Sequence, residues 1–286
     1  MEKHSEIILR DGATTVLHVS PAAGPSAPVA LVLPAMGVPA GYYGPFLDEL
    51  AREGVTAAVA DYPGQGEARP LVDRTQDLGY AEIAGEWLPS VVTALRADHD
   101  GPLTAIGHSL GGHVAMVHLA GDAPVVDAAV LIGSGTPFWR HHQGITTLAQ
   151  TQFMGLLTRV LRFWPGDRLG FGGVQPRTLV REWAAFARTG DLAPQGRSIA
   201  ARLRGRQLPL LVIDLDNDTL APPSAVDGLV ALLPDADVER WTFTKASDDP
   251  GRPVNHYSFA RSPEIIGERI AEWVRDRVTS SSRPSA

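Results

Sequence analysis

The chain has 286 residues, 44% of them hydrophobic and 20% charged, a balance that fits a soluble protein with a sizeable core. Its net charge of −7, with no basic stripe, argues against nucleic acid or an anionic membrane as partner. The absence of cysteine removes disulfides, thiolate metal sites and a cysteine nucleophile.

In chain order, SEIILRDGATTVLHVS reads as two strands joined at Asp11-Gly12, a strong hairpin signal. The first residues carry charges inside their apolar run and lack a long apolar core, so they do not read as a signal peptide. No apolar run is long enough to span a bilayer, and a cytoplasmic enzyme is the expectation. VALVLP (29–34) is short, continuous and β-branched, the pattern of a strand buried on both faces of a parallel sheet. A helix is predicted from about Tyr43 to Glu53, with Phe46, Leu47, Leu50 and Ala51 on one face and Gly54 ending it. VTAAVADYPGQG follows as strand and turn. Another helix is predicted over about 77–97, with Ile83, Trp87, Val91 and Leu95 at intervals of four. LTAIG is the next strand, and a helix starts after Ser109.

Further strands are predicted at 125–135, 208–216 and 238–243, with helices over 223–233 and 263–278. Strand-helix alternation at this spacing predicts a mostly parallel sheet with helices on both faces. Residues 136–207 break the alternation and read as helices and loops without a clear strand. They hold five of the eight Phe and three of the six Trp. The segment leaves from the C-terminal end of a strand, where open α/β sheets bind ligands. It therefore reads as a helical cap, with Phe138, Trp139, Phe153, Trp164 and Trp183 as pocket candidates. The core is then 1–135 with 208–278, and 279–286 a disordered tail.

The stretch LTAIGHSLGGHVAM (103–116) contains Gly107-His108-Ser109-Leu110-Gly111, a G-x-S-x-G between a strand and a helix. A nucleophile on so tight a turn takes an unfavourable backbone conformation, and glycines two before and two after leave it room. The competing reading is an N-capping serine. A serine hydroxyl needs a base, and the base needs an acid to fix its tautomer. On a strand-helix scaffold of this kind the order is Ser, acid, His. Of nine histidines only His256 follows the last predicted strand and precedes the last helix. His108, His113 and His118, on or near the elbow helix, read as structural. His141 and His142 lack a nearby acidic ligand set, which speaks against a metal. The acid candidates are Asp214, Asp216 and Asp218. A carboxylate aimed at His256 belongs in the turn after the strand, which selects Asp218, with Asp216 second. Asp248 and Asp249 lie in a polar loop close to His256 in sequence. Two N–H donors are needed for an oxyanion. Leu110 supplies one, and the loop Pro34-Ala35-Met36-Gly37 the other, from Met36 or, alternatively, Ala35.

With these pieces placed, nearly the whole chain resembles an α/β-hydrolase, with an eight-stranded, mostly parallel sheet. The carrying motifs are LVLPAMG, DYPGQGEA (61–68), GHSLGG (107–112), DTLAPP (218–223) and NHYSFAR (255–261). Within that superfamily the chain is similar to bacterial hydrolases near the serine-aminopeptidase and monoacylglycerol-lipase-like branch. Shared features are Met36-Gly37 followed by Tyr42-Tyr43, the D-x-x-G-x-G turn, REWAAFAR, and His256 before YSFAR. The resemblance implies Ser109, Asp218 and His256 as a triad. Many relatives carry His-Gly at Pro34-Ala35, Arg at Pro63 and Ser at Glu67. The aromatic-rich insertion favours an apolar or aromatic acyl group. Asp167 and Glu182 in it are not clustered in sequence, as an amine-binding peptidase site would want. An ester or thioester hydrolase of a small-molecule acyl substrate, with no cofactor and no metal, is the expectation. The same triad would serve an acyltransferase, a cyclase or an amidase. A non-catalytic binding protein would have lost a triad member. Oligomeric state is not readable from the sequence.

Overall fold

The apolar run read as a doubly buried strand is β3 (Val29–Leu33), buried along its whole length, and β4 (Thr56–Ala60), β5 (Leu103–His108) and β6 (Ala128–Ile132) are buried in the same way. The structure is a computed structural model that describes residues 3–9, 11–142, 144–244 and 254–281. The N-terminal hairpin is β1 (Lys3–Ile8) and β2 (Thr14–Ser20), paired antiparallel with Ile8 opposite Thr14. Inside the segment 136–207 lie β7 (Phe163–Pro165) and β8 (Val174–Pro176). The last strands are β9 (Pro209–Leu215) and β10 (Asp237–Phe243). Eight of these form one sheet in the order β1-β2-β4-β3-β5-β6-β9-β10. The pairs β1/β2 and β2/β4 are antiparallel and all later neighbours are parallel.

Successive side chains of a strand point to opposite faces, so β3 feeds two apolar layers. Leu31 and Leu33 join one with Trp87, Val91 and Val114; Ala30 and Val32 join the other with Phe46, Ile213 and Ile270. On the second face lie α1 (Gly44–Arg52) and α10 (Glu264–Ser281). On the first lie α2 (Tyr80–Glu82), α3 (Leu88–Leu95) and α4 (Leu110–Leu119). Between α2 and α3 the helix widens to a π turn over Ile83–Trp87. Pro89 sits just beyond it; a proline has no N–H for the regular ladder and crowds the carbonyl four residues back. The predicted helix over 77–97 is therefore three segments within 80–95.

The segment 136–207 leaves β6 and returns at β9. It contains α5 (Thr146–Leu161), α6 (Gly166–Leu169), α7 (Arg177–Thr189) and α8 (Ala200–Leu203). The expectation that it lacks strands is corrected, because β7 and β8 pair antiparallel, with Trp164 opposite Gln175. Each is three residues long and ends in proline, too short for a period of two to register. After β9 comes α9 (Pro223–Val230), packed with Val226 and Leu229 into the first layer. The last helix continues through Ser281, so the tail predicted from 279 starts too early. No helix breaker intervenes before Pro284. Residues 282–286 of that tail, and Asp248 and Asp249, lie outside the described residues. Among the described residues no helix is long and apolar enough to cross a membrane.

The helix α4 crosses β3 at backbone contact. A Cβ placed on Gly111 would overlap the Leu33 carbonyl, and one on Gly112 the Ser134 side chain. Gly111→Ala is expected to cost about 1–3 kcal/mol of stability in a urea titration, as overpacking does. The comparison is Gly85→Ala, a helical site with open space, which leaves the midpoint unchanged or raises it.

Candidate active site

The strand β5 ends at His108 and α4 begins at Leu110, so the whole reversal falls on Ser109. Its backbone sits at φ 53 and ψ −113, a conformation that costs a side-chain-bearing residue of order 1–3 kcal/mol. The surroundings hold it there. The Ser109 N–H donates to the Ile132 carbonyl at 3.1 Å, and its own carbonyl accepts from Gly112 N–H at 3.0 Å. The Ser134 hydroxyl lies between the carbonyls of Gly107 and Ser109, at 3.1 and 2.9 Å. The Ser109 side chain makes no capping bond to α4. The capping reading of the sequence is therefore not what this serine does.

The turn after β9 places Asp218 opposite His256. The His256 Nδ1–H donates to Asp218 Oδ2 at 2.7 Å, and the two side chains are 6% and 1% exposed. The second oxygen of Asp218 accepts the N–H groups of Leu220 and Ala221, at 2.9 and 3.1 Å. That fixes the carboxylate and leaves one oxygen for the histidine. The other two acids are elsewhere. Asp214 is buried in an ion pair with Arg240 at 2.5 Å, and Arg240 also pairs with Asp227. Asp216 makes no side-chain hydrogen bond among the described residues. Gly133, at φ 50 after β6, lies under the pair. A Cβ there would sit 3.0 Å from Asp218 Oδ2 and 3.3 Å from His256 Nδ1.

At the other side of Ser109, the first N–H of α4 belongs to Leu110. In the loop after β3, the Ala35 N–H donates to the Tyr43 hydroxyl at 2.9 Å. The N–H groups of Met36 and Leu110 have no acceptor among the described residues. A helix start leaves such donors unsatisfied. The Met36 loop is backed by the segment 136–207: Gly37 and Gly172 meet backbone to backbone, with no room for a Cβ on Gly37.

Ser109, His256, Ala35, Met36 and Leu110 all line one cavity of about 610 Å³. Its apolar wall includes Met154, Trp164, Leu169, Phe171 and Trp183, and its polar wall His142, Thr147, Gln150, Thr151 and Thr219. No Asp, Glu, Lys or Arg among the described residues lines it. Three of the five aromatic pocket candidates are here: Trp164, Trp183 and, with 58% of its surface exposed, Phe153. Phe138 and Trp139 are not. The Phe138 ring packs on Gly190 and, at 5.1 Å between centroids, on His141. Trp139 carries the Arg140 guanidinium over its ring at 5.2 Å. The chain leaving β6 turns before these residues, beneath the end of α7. Among the described residues no group of three or more His, Cys, Asp or Glu could hold a metal ion.

A model of the alpha/beta hydrolase family matches residues 30–265, which is most of the sequence. The chain belongs to the alpha/beta hydrolase family. Solved structures share the fold at low identity. An esterase from Exiguobacterium antarcticum is 16% identical with a TM-score of 0.64, over 96% of this chain and all of that one. A hydrolase from Pseudomonas aeruginosa is 17% identical with a TM-score of 0.64, over 95% of this chain and 98% of that one. The thioesterase domain from the curacin biosynthetic pathway is 14% identical with a TM-score of 0.59, over 96% of this chain and 99% of that one. No curated protein matches the sequence significantly.

Three further histidines of this alpha/beta hydrolase sit in or beside α4, and each is buried with both ring nitrogens engaged. His113 also lines the cavity, so it is more than a core residue. It accepts from the Tyr80 hydroxyl at 3.0 Å and donates to the Gly135 carbonyl at 2.8 Å. His118 donates to the Ala84 carbonyl and accepts the Val125 N–H, both at 2.9 Å. His108 bridges Tyr43 and the His256 carbonyl, at 2.7 and 2.8 Å. Burial strips these rings of water and lowers all three pKa values, that of His113 to about 4. The unfolded chain therefore takes up these protons first, near pH 6.5, while the folded rings stay neutral. Stability is full above that pH and falls as pH drops towards 4. The thermal midpoint should decline between pH 6.5 and 5, before most carboxylates titrate, as calorimetry at matched ionic strength would show.

Proposed function

We propose that this chain is a serine hydrolase that cleaves an ester or thioester of an uncharged, apolar acyl group. The observation that carries the reading is the buried Asp218–His256 pair, 2.7 Å apart, in one cavity with a strained, uncapped Ser109. In the proposed reaction the Ser109 hydroxyl adds to the acyl carbonyl while His256 Nε2 takes its proton. Asp218 holds the Nδ1–H tautomer and balances the imidazolium that forms. The N–H groups of Leu110 and Met36 receive the oxyanion. Ala35, the alternative donor in that loop, already gives its N–H to Tyr43. The imidazolium returns its proton to the leaving alcohol or thiol. Water, deprotonated by His256, then releases the acid and frees Ser109.

The lining of the cavity supports the substrate class. Among the described residues no Asp, Glu, Lys or Arg side chain would meet a free amine or carboxylate in this cavity, which puts the desolvation cost of such a group at several kcal/mol. That disfavours an aminopeptidase. The apolar wall around Trp164, Phe171 and Trp183 suits the acyl chain, and the Thr and Gln side chains of α5 suit a neutral polar leaving group.

Ser109→Ala is expected to lower turnover of a p-nitrophenyl ester by about 10⁴-fold or more and to abolish labelling by a fluorophosphonate. Full labelling of that variant would remove Ser109 from the reaction. Asp218→Asn should lose about 10³–10⁴-fold in kcat, and Asp216→Asn no more than a few-fold. Equal, mild losses would displace Asp218. Between a hexanoyl ester and an otherwise equal ester ending in a carboxylate, kcat/KM should favour the neutral one by about 100-fold. A preference for the charged ester would overturn the substrate class.

A further inference from the structure

Tyr42 and Tyr43 are adjacent in sequence, belong to the motif that follows Met36-Gly37, and take no part in the chemistry proposed above. Tyr43 and His108 are both completely buried. Their hydrogen bonds form one chain whose directions valency fixes. A carbonyl can only accept, so the contact of His108 Nε2 with the His256 carbonyl, at 2.8 Å, puts the ring proton on Nε2. His108 Nδ1 is then an acceptor, and the Tyr43 hydroxyl, 2.7 Å away, donates to it. The Tyr43 oxygen in turn accepts the Ala35 N–H at 2.9 Å. The neighbouring Tyr42 hydroxyl donates to the next carbonyl of the histidine loop, Tyr257, at 3.1 Å. Packing reinforces the arrangement: the His108 ring lies with its centroid 5.0 Å from that of His256 and 4.9 Å from that of Phe259.

We propose that Tyr43 and His108, assisted by Tyr42, form a positioning strut that sets the oxyanion loop and the backbone of His256 relative to Ser109. The inference rests on the hydrolase reading above and deepens it. Two parts of the proposed site come from distant loops, one after β3 and one before α10. The strut joins both to the residue that immediately precedes Ser109. Its upper end occupies the Ala35 N–H and leaves Met36 as the free donor of that loop. Its lower end holds His256 by the carbonyl, while Asp218 holds the same residue by Nδ1. The base is thereby fixed at main chain and side chain. None of the three strut residues touches the reacting atoms, so they are positioning residues.

The test is Tyr43→Phe, which removes one oxygen and keeps the packing. The expected result is a fall in kcat of about 10-fold or more, since small displacements of catalytic groups are costly, with KM within about twofold. A boronic acid that forms a tetrahedral adduct at the serine should lose affinity by the same factor as kcat/KM, which a merely structural role would not produce. His108→Gln, which can still donate to the His256 carbonyl, should keep most of the activity that His108→Leu loses. Tyr42→Phe, at a half-buried site, supplies a variant independent of any folding defect in the others. It should lower kcat about threefold at an unchanged thermal midpoint. The strut is overturned if Tyr43→Phe keeps kcat/KM and boronate affinity within twofold of wild type. It is also overturned if its loss of kcat is not matched by the boronate, or if Tyr42→Phe is fully active. A wild-type protein that neither reacts with a fluorophosphonate nor hydrolyses esters fails the hydrolase reading itself and takes the strut with it. A reactive wild type with unaffected tyrosine variants overturns the strut alone.

Discussion

The backbone of Ser109 is the constraint around which the rest is built. A serine at positive φ does not stay there unaided, and contacts from the end of β6 and from α4 hold it. The end of β6 accepts its N–H, the Ser134 hydroxyl bridges its carbonyl to that of Gly107, and α4 starts at once on its C-terminal side. The helix starts so close because Gly111 lies flat on the Leu33 carbonyl. The fully buried parallel strands serve this arrangement. Because β3, β5 and β6 are in register to their ends, with Leu33 beside Gly107 and His108 beside Ile132, the three loops that follow them converge. Strain at one residue is thus maintained by contacts that were needed for the core in any case.

Much of this was legible in the sequence because it is local. A strand buried on both faces looks like VALVL whatever packs on it, and an elbow looks like glycines two before and two after a serine, between a strand and a helix. The sheet, the helices around it and the turn at Ser109 came from such signals, whereas Asp218 and His256 were expected from their places after β9 and before the last helix and from their order along the chain. What was not legible lies in pairs far apart along the chain. Nothing near Tyr43 announces that its partner is His108, or that the partner of His108 is the carbonyl of His256, 148 positions on. Gly133 reads as one glycine among many after a strand, yet its missing Cβ makes room for the Asp218–His256 pair. Phe138 and Trp139 were grouped with the pocket aromatics by composition alone. A stretch that turns away from the cavity has the same composition as one that lines it.

Charge shows the same limit of averages. The whole chain carries −7, but residues 136–207 contain 11 arginines against Asp167, Glu182 and Asp191. The net value describes neither this segment nor the rest of the chain. The arginines are kept out of the cavity, whose described lining is uncharged. Long charged side chains on helices readily turn their heads to water, so a basic segment and a neutral interior coexist in the same few helices.

The contact between Gly37 and Gly172 has a mechanical meaning. It joins the loop after β3 to the segment over the cavity at a place where neither side has a side chain to yield. Rotamer changes cannot absorb a displacement across such a joint; only the backbones can separate or travel together. Were the segment to swing outward as a rigid body, it would either break this joint or carry Met36 away from Ser109. In the proposed reaction, admission of a substrate by that route and readiness to react with it would then exclude each other. An entrance that leaves the joint closed, past Phe153, which lines the cavity and is exposed, is free of that conflict.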